Sequence, residues 1–188
     1  MSLLDLFRRR TQDVFYTRVL VCSLGEVSDD ELDRDFNAYR KHLESVALQH
    51  FVDVNRLVNA LRDGYDIVHV LTAVTPDGTI GNDTMTGSEL IEKASQCGTK
   101  LLWIGTSNNP QGYIQGFKPN GNKLNVVMTI DRGEHRLPDF IEKLLREMQS
   151  GFSMPVAWNR IAPQIPGQLH PDAPNTIFYC GLGQVRFV

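Results

Sequence analysis

The sequence predicts an α/β fold, a three-layer α/β/α sandwich around a mostly parallel central sheet of about six strands. Apolar runs alternate with amphipathic stretches along the chain, and two runs, 66–72 and 100–105, are almost continuously apolar. Alternating strands and helices form βα units, in which the strands are parallel. A strand without polar alternation is typical of one covered on both faces. We therefore expect 66–72 and 100–105 to be neighbouring central strands.

The first part of the chain reads as an arm, a strand and a helix. Residues 1–12 are expected to form an N-terminal arm or short helix, followed by a strand over 15–23 that is rich in β-branched and aromatic residues. Ser28 and Glu31 have the spacing of a capping box at a helix start. An apolar stripe with helical period follows, made of Leu32, Phe36, Tyr39 and Leu43.

Further helix and turn signals flank the two central strands. A strand is expected over 47–54, and Asn55 is expected to cap the short helix after it. Residues 75–80 predict a turn and hairpin outside the sheet. Thr86 is expected to cap a helix that Gly98 ends.

The second half begins with a loop over 107–123 that is rich in Asn, Gly and Pro, and loops of this length are commonly functional. A fifth strand is expected over 124–130, and two helices over 137–149 and 154–162. The last segment, 164–188, is predicted to be Pro-rich and to end in closing edge strands.

Length and composition limit the function classes. A chain of 188 residues, 41% hydrophobic and 22% charged, has room for one well-buried core, so a single domain over 1–188 is expected. A net charge of −3 does not provide the basic face of a nucleic-acid-binding protein. No window reaches the roughly 18 apolar residues of a membrane-spanning helix. We expect a cytoplasmic protein that binds neither nucleic acid nor membrane.

The cysteines and histidines give no sign of a metal site. Cys22 and Cys180 follow apolar runs and are expected in the core. Cys97 is expected at a helix C-terminus, where the dipole disfavours a thiolate. No metal-ligand spacing occurs around the other candidates, His42, His50 and His170. We expect no cysteine nucleophile, no metal and no cofactor.

The order of these segments, over about residues 17–165, resembles the CHAT family, peptidase-like domains of the caspase-haemoglobinase (clan CD) fold. Residues 66–74 are similar to the family phrase "DIVHFAGHG", with His69 at its first His and Ala73 at its catalytic His. Residues 101–107 are similar to "LVVLNAC", with Ser107 at the nucleophilic Cys. The resemblance implies a caspase-like sheet in which both positions of the catalytic dyad are degenerate.

The resemblance also implies a function, that of a non-catalytic protein-interaction or sensor/adaptor module similar to bacterial signalling or defence components. Protein partners are then expected, and self-association is left open. The candidate contact element is the loop 107–123, whose apolar side chains could instead form a small cluster of their own: Tyr113, Ile114 and Phe117. A candidate pocket at the strand ends comprises His69, Ser107, Asn108, Asp131 and Glu134.

Two enzymatic alternatives stay open. A TIR-like or nucleoside-hydrolase-like enzyme would use Glu134, or Asp131 beside it, as a carboxylate in the cleft. An atypical peptidase would use Ser107, which needs a base within hydrogen-bond reach. His69 is four residues before Ala73, some 13 Å along the strand at about 3.3 Å per residue. We therefore expect His69 to be a hydrogen-bonded core residue that does not reach Ser107.

Overall fold

A central sheet with helices on both faces forms the framework of the protein. The computed structural model describes residues 12–14, 16–81, 85–105, 124–131, 136–162, 175–181 and 185–187. The strands are β1 (Gln12–Val14), β2 (Arg18–Leu24), β3 (Ser45–Phe51), β4 (Ile67–Thr72), β5 (Leu101–Gly105), β6 (Asn125–Asp131), β7 (Asn175–Cys180) and β8 (Val185–Phe187). The helices are α1 (Asp29–Arg40), α2 (Val54–Leu61), α3 (Gly87–Gln96), α4 (Arg136–Gln149) and α5 (Met154–Ile161).

The central sheet has six strands in the order β3-β2-β4-β5-β6-β7. The first five are parallel, and β7 is antiparallel to β6. The central strands β4 and β5 are neighbours, paired from Ile67 with Leu101 to Leu71 with Gly105. The predicted fold class, a mostly parallel sheet of about six strands between helical layers, is therefore confirmed.

The two ends of the chain pair with each other outside this sheet. The short strand β1 lies parallel to β8 in a separate two-stranded sheet. Both predicted closing strands are present, β7 at an edge of the main sheet and β8 beside β1, a pairing that the sequence did not indicate. The partner of β8 is β1, which is distant in sequence, and a sequence pattern shows only local features. The greater part of the predicted arm, residues 1–11, lies outside the described residues.

Each face of the sheet supports its own hydrophobic cluster, because successive side chains of a strand point to opposite faces. On one face, Val68 and Ile104 pack with the apolar sides of α2 and α3. On the other face, Ile67 and Trp103 pack with α1, α4 and α5. All six residues of β4 and all five of β5 are buried, as the apolar runs predicted.

Three strands are fixed to one another at their amino ends by a single residue, Asp66. Its carboxylate accepts a hydrogen bond of 3.0 Å from the backbone N–H of Arg18 and pairs with the ammonium of Lys100. Its own carbonyl accepts bonds from the backbone N–H groups of Lys100 and Leu101. Asp66 thereby sets the alignment of β2, β4 and β5.

The predicted N-cap residues of three helices agree with the structure to different degrees. Thr86 caps α3 as predicted, and it also forms a capping box with Glu89. Ser28 is the N-cap of α1, but its side chain makes no capping hydrogen bond, so the capping box predicted with Glu31 is not formed. The cap of α2 is Asp53, whose carboxylate accepts from the N–H of Arg56, and the prediction of Asn55 is wrong. An Asp two residues earlier provides the same acceptor, and Asn55 already lies within the helix.

The capping box at Thr86 gives a stability prediction. We expect Thr86→Ala to lower the free energy of unfolding by roughly 0.5–2 kcal/mol, because the N–H of Glu89 loses its acceptor. Urea unfolding followed by circular dichroism measures the change. The matched control is Ser28→Ala, which removes no side-chain cap and should cost clearly less. If the two variants lost the same free energy of unfolding, the assignment of Thr86 as a side-chain cap would be wrong.

The same box predicts a pH dependence. Hydrogen bonds from the backbone and hydroxyl of Thr86 lower the pKa of Glu89. A carboxyl whose pKa is lowered on folding contributes its stabilisation above its unfolded pKa and loses it as the pH falls through the folded pKa. The difference between wild type and Thr86→Ala should therefore shrink on acidification. Unfolding curves at neutral and acidic pH measure it, and a difference that grows in acid would contradict the prediction.

Candidate functional site

The carboxyl ends of the parallel strands form the edge where an α/β sheet usually carries its site. The residue after β4 is Ala73, which is exposed. Its carbonyl accepts hydrogen bonds from the hydroxyl of Thr72, at 3.2 Å, and from the N–H of Gly81, at 2.8 Å. The segment between them folds back as the predicted hairpin, closed by a bridge between Val74 and Ile80. At the end of β4 the edge thus presents a methyl group and a turn.

The hairpin passes close to the end of β2 at Gly81. Gly81 has φ of +62°, and a Cβ built there would lie 3.2 Å from Leu24 and 3.7 Å from the hydroxyl of Thr72. A side chain at this position would therefore be strained by the backbone and crowded by Leu24. Glycine is therefore favoured where the hairpin passes the end of β2.

Most of the predicted site lies outside the described residues. This holds for three pocket residues, Ser107, Asn108 and Glu134, and for the three contact residues, Tyr113, Ile114 and Phe117. Asp131 is the last residue of β6 and pairs with Asn175 through the backbone, but its side chain is not described. The candidate pocket and the candidate contact loop accordingly remain predictions.

The pocket residue whose surroundings are described is His69, in the middle of β4. Its side chain is fully buried, with 0% exposure, and so is that of Asp35 on α1. The imidazole Nε2 lies 3.2 Å from Oδ2 of Asp35, and Nδ1 lies 3.1 Å from the hydroxyl of Tyr39. The ring stacks on the indole of Trp103, with centroids 5.5 Å apart and planes inclined by 6°. The side chain therefore faces α1 and the core.

The protonation of Tyr39 follows from its burial. Loss of solvent, and then the nearby carboxylate of Asp35, raise the pKa of Tyr39. Tyr39 therefore keeps its proton at neutral pH and can donate it to Nδ1 of His69, while Nε2 faces the carboxylate. The indole N–H of Trp103 donates in turn to the hydroxyl of Thr129, at 2.8 Å. His69 is a hydrogen-bonded core residue, as the sequence predicted.

The partner Asp35 was missed by the sequence analysis, which assigned Tyr39 only to an apolar stripe. A signal was present, because residues four apart lie on the same side of a helix. Asp35 precedes Tyr39 by four and follows Leu32 by three, so it lies within the stripe that contacts the sheet. A carboxylate in that place, opposite a histidine in a strand covered on both faces, indicates a buried pair.

A second histidine cluster lies near the carboxyl end of β3. The hydroxyl of Ser23 is 3.0 Å from Nδ1 of His50, and Oδ1 of Asp29 is 3.9 Å from that same nitrogen. A proton relay of the Ser-His-Asp type needs its two oxygens on opposite ring nitrogens. Ser23 is also only 3% exposed. The contact therefore joins β3 to β2 and is not arranged as a catalytic triad.

Other chemistry is sparse in the described part of the chain. The thiol of Cys22 is buried, and burial raises its pKa well above its ordinary value, so it is a poor nucleophile. Among the described residues no group of acidic, His and Cys side chains could hold a metal ion.

No described helix is both apolar enough and long enough to cross a bilayer. A surface cleft of about 490 Å³ between α1 and α4 has mixed charge and is lined by Arg34, Asn37, Lys41, Pro138, Asp139 and Glu142.

Comparisons with known proteins do not assign a family. No protein-family model matches the chain, and neither does any curated protein sequence. Among solved structures, the crystal structure of drICE matches over 96% of this chain and 97% of its own, with 8% sequence identity and a TM-score of 0.48. That likeness is too weak to carry an argument about family or site. The resemblance to the CHAT family stays a prediction.

The buried cluster predicts a large effect of a single substitution. Asp35→Ala should lower the free energy of unfolding by roughly 3–5 kcal/mol, because Nε2 of the buried imidazole loses the carboxylate beside it. Adding His69→Leu should recover part of that loss, since replacing both members of a buried pair is often nearly neutral. Urea unfolding measures both. The control Asp33→Ala, at an exposed position of α1, should stay within about 0.5 kcal/mol of wild type. Strictly additive losses in the double variant would contradict the pairing.

Proposed function

We propose that this chain is a non-catalytic protein-interaction module, a sensor or adaptor on an α/β scaffold that resembles CHAT domains. The observation that supports it most is the environment of β4. In the family resembled, the catalytic imidazole follows this strand, where the present chain has the exposed methyl group of Ala73. The histidine of the strand, His69, is turned into the core and held by Asp35.

The chemistry of nucleophiles supports the same proposal. A serine at the end of β5 would need a base at about 2.6–3.2 Å. His69 is enclosed under α1, and His50 belongs to β3, three strands away from β5 in the sheet. At about 4.8 Å between strands, that separation is roughly 14 Å. These two histidines are therefore poorly placed to serve as a base for a nucleophile that follows β5, and we expect the hydroxyl of Ser107 to keep the acidity of an ordinary alcohol.

For the contact element we propose the loop 107–123. It follows β5, whose residues are all buried and which is paired on both sides, by β4 and β6. Binding segments are commonly loops held by a rigid scaffold. The apolar side chains in this segment would supply a contact surface at the carboxyl edge, namely Tyr113, Ile114 and Phe117.

The absence of nucleophilic catalysis can be tested directly. We expect no stoichiometric labelling of the purified protein by a fluorophosphonate under native conditions, because His69 and His50 are poorly placed to activate a nucleophile that follows β5, and no iodoacetamide labelling of the buried Cys22. Intact mass spectrometry measures the labelling. Fluorophosphonate labelling that disappears in Ser107→Ala would favour the atypical peptidase. Turnover of NAD or a nucleoside that is lost in Glu134→Ala would favour the nucleotide-processing enzyme.

The contact loop is tested by a double substitution. We expect Tyr113→Ala with Phe117→Ala to keep the melting temperature of wild type and to lose a protein captured by the wild-type chain. The matched control is Tyr16→Ala, which truncates an aromatic side chain that is 95% exposed beside the amino end of β2. It should retain the captured protein. Differential scanning fluorimetry and quantitative cross-linked pull-down measure the two properties.

The opposite result has a specific physical meaning. If the aromatic side chains form a cluster under their own loop, their truncation should destabilise the fold by roughly 3–5 kcal/mol, the cost of removing buried aromatic groups. A melting temperature that falls strongly would then replace the interface proposal with a structural role for the loop.

A further inference from the structure

The edge strand β3 ends the sheet on the side opposite β7. It is seven residues long and pairs with β2 in an unbroken register, from Arg18 with Ser45 to Leu24 with Phe51. No bulge interrupts it. Its other side carries no strand among the described residues.

The hydrogen-bond pattern shows which backbone groups face outwards. The carbonyl of Phe51 accepts a bond of 3.1 Å from the N–H of Gly25, so the backbone of Phe51 is turned towards β2. Successive residues of a strand direct their backbone groups to opposite sides. The N–H and C=O groups of alternate residues therefore point away from the sheet, at Val46, Leu48 and His50.

This edge lacks the usual protection against pairing. Native sheets commonly guard an edge with charged side chains, proline or a bulge. The sequence of β3 contains no Lys, Arg, Asp, Glu or Pro. Its apolar side chains are only partly buried, at Val46, Ala47 and Leu48. Val52, directly after the strand, is 74% exposed and extends the apolar surface.

We infer that β3 pairs with β3 of a second copy of this chain, antiparallel, around a two-fold axis at Leu48. Hydrogen-bonded pairs of an antiparallel ladder must join outward-facing residues. An axis at Leu48 is the only one that pairs all three outward-facing residues. It places the Leu48 residues of the two copies opposite each other, and Val46 of each copy opposite His50 of the other. Each such pair exchanges two bonds, so this register forms about six hydrogen bonds.

Charge and packing favour a second copy in this register. The titratable side chain of the strand is that of His50, and it lies beside Val46 of the other copy, so no like charges face each other along the ladder. The two Leu48 side chains meet on the face covered by α1, where each is only partly buried in a single copy. The contact is self-complementary and closes as an isologous dimer.

The experiment combines mass measurement with cross-linking of the full chain. We expect twice the 21.2 kDa chain mass by analytical ultracentrifugation at micromolar concentration. Leu48→Lys places two ammonium groups on the axis and should raise the dimer Kd by at least about tenfold. Leu48→Cys should form a disulfide-linked dimer on mild oxidation, because hydrogen-bonded pairs have Cα atoms about 5.5 Å apart, within disulfide range.

The control variant is Gln49→Cys, at a half-buried neighbouring position whose equivalent in the other copy lies off the axis. It should not cross-link above the wild-type background from the native cysteines. A wild type that stays monomeric up to about 100 μM, including one that instead binds an extended peptide, would overturn the inference. So would a dimer that neither cross-links through Leu48→Cys nor weakens in Leu48→Lys. Should Leu48→Lys fail to fold, the cross-linking pair decides alone.

The inference does not rest on the proposed function. A monomeric wild type would leave the labelling and pull-down results unchanged, and a catalytically active chain could still form this dimer.

Discussion

Burial of β4 on both faces is the constraint on which the rest of the structure depends. Each of its six side chains must be accommodated by a helical layer, since none reaches solvent. For the aliphatic residues this needs only apolar packing. For His69 it needs polar partners inside the core, because an unsatisfied buried polar group costs roughly 1–3 kcal/mol. Those partners come from α1, which supplies Asp35 and Tyr39.

The pairing has consequences for the position of α1. A buried pair of this kind contributes little net stability, because desolvation offsets most of the attraction. The pair does, however, disfavour other positions of α1 on the sheet. A shift of α1 by one turn, about 5.4 Å, would take the carboxylate of Asp35 away from the imidazole and leave both buried without each other. Together with the stacking on Trp103, the pair therefore selects one alignment of α1 on the sheet.

The sequence predicted the elements whose signals are local. The apolar runs of β4 and β5 and the helix cap at Thr86 have their cause within a few residues. The features that the sequence did not predict either depend on residues far apart in the chain or involve two neighbouring residues that could serve equally well. The pairing of β8 with β1 joins opposite ends of the chain, and Asp53 competes with Asn55 for one helix start.

The candidate site was less predictable than the fold. Whether His69 is a core residue or a pocket residue depends on what covers its face, and that cover comes from a helix 30 residues earlier. The strand pattern could indicate only that the residue is buried. The remaining pocket residues are Asp131, the last residue of β6, and residues that follow β5 and β6 in segments whose positions no periodicity determines, so their association stays a prediction.

The two proposals together constrain how such a module could act. Pairing of β3 with its copy is antiparallel, so the carboxyl edges of the two sheets would face opposite directions. The contact loops that follow β5 would then lie on opposite ends of the dimer. Two sites that face apart cannot engage one small partner together, and they increase avidity only where the target presents sites far enough apart. The arrangement therefore favours bridging between two separate partners over tighter binding of one.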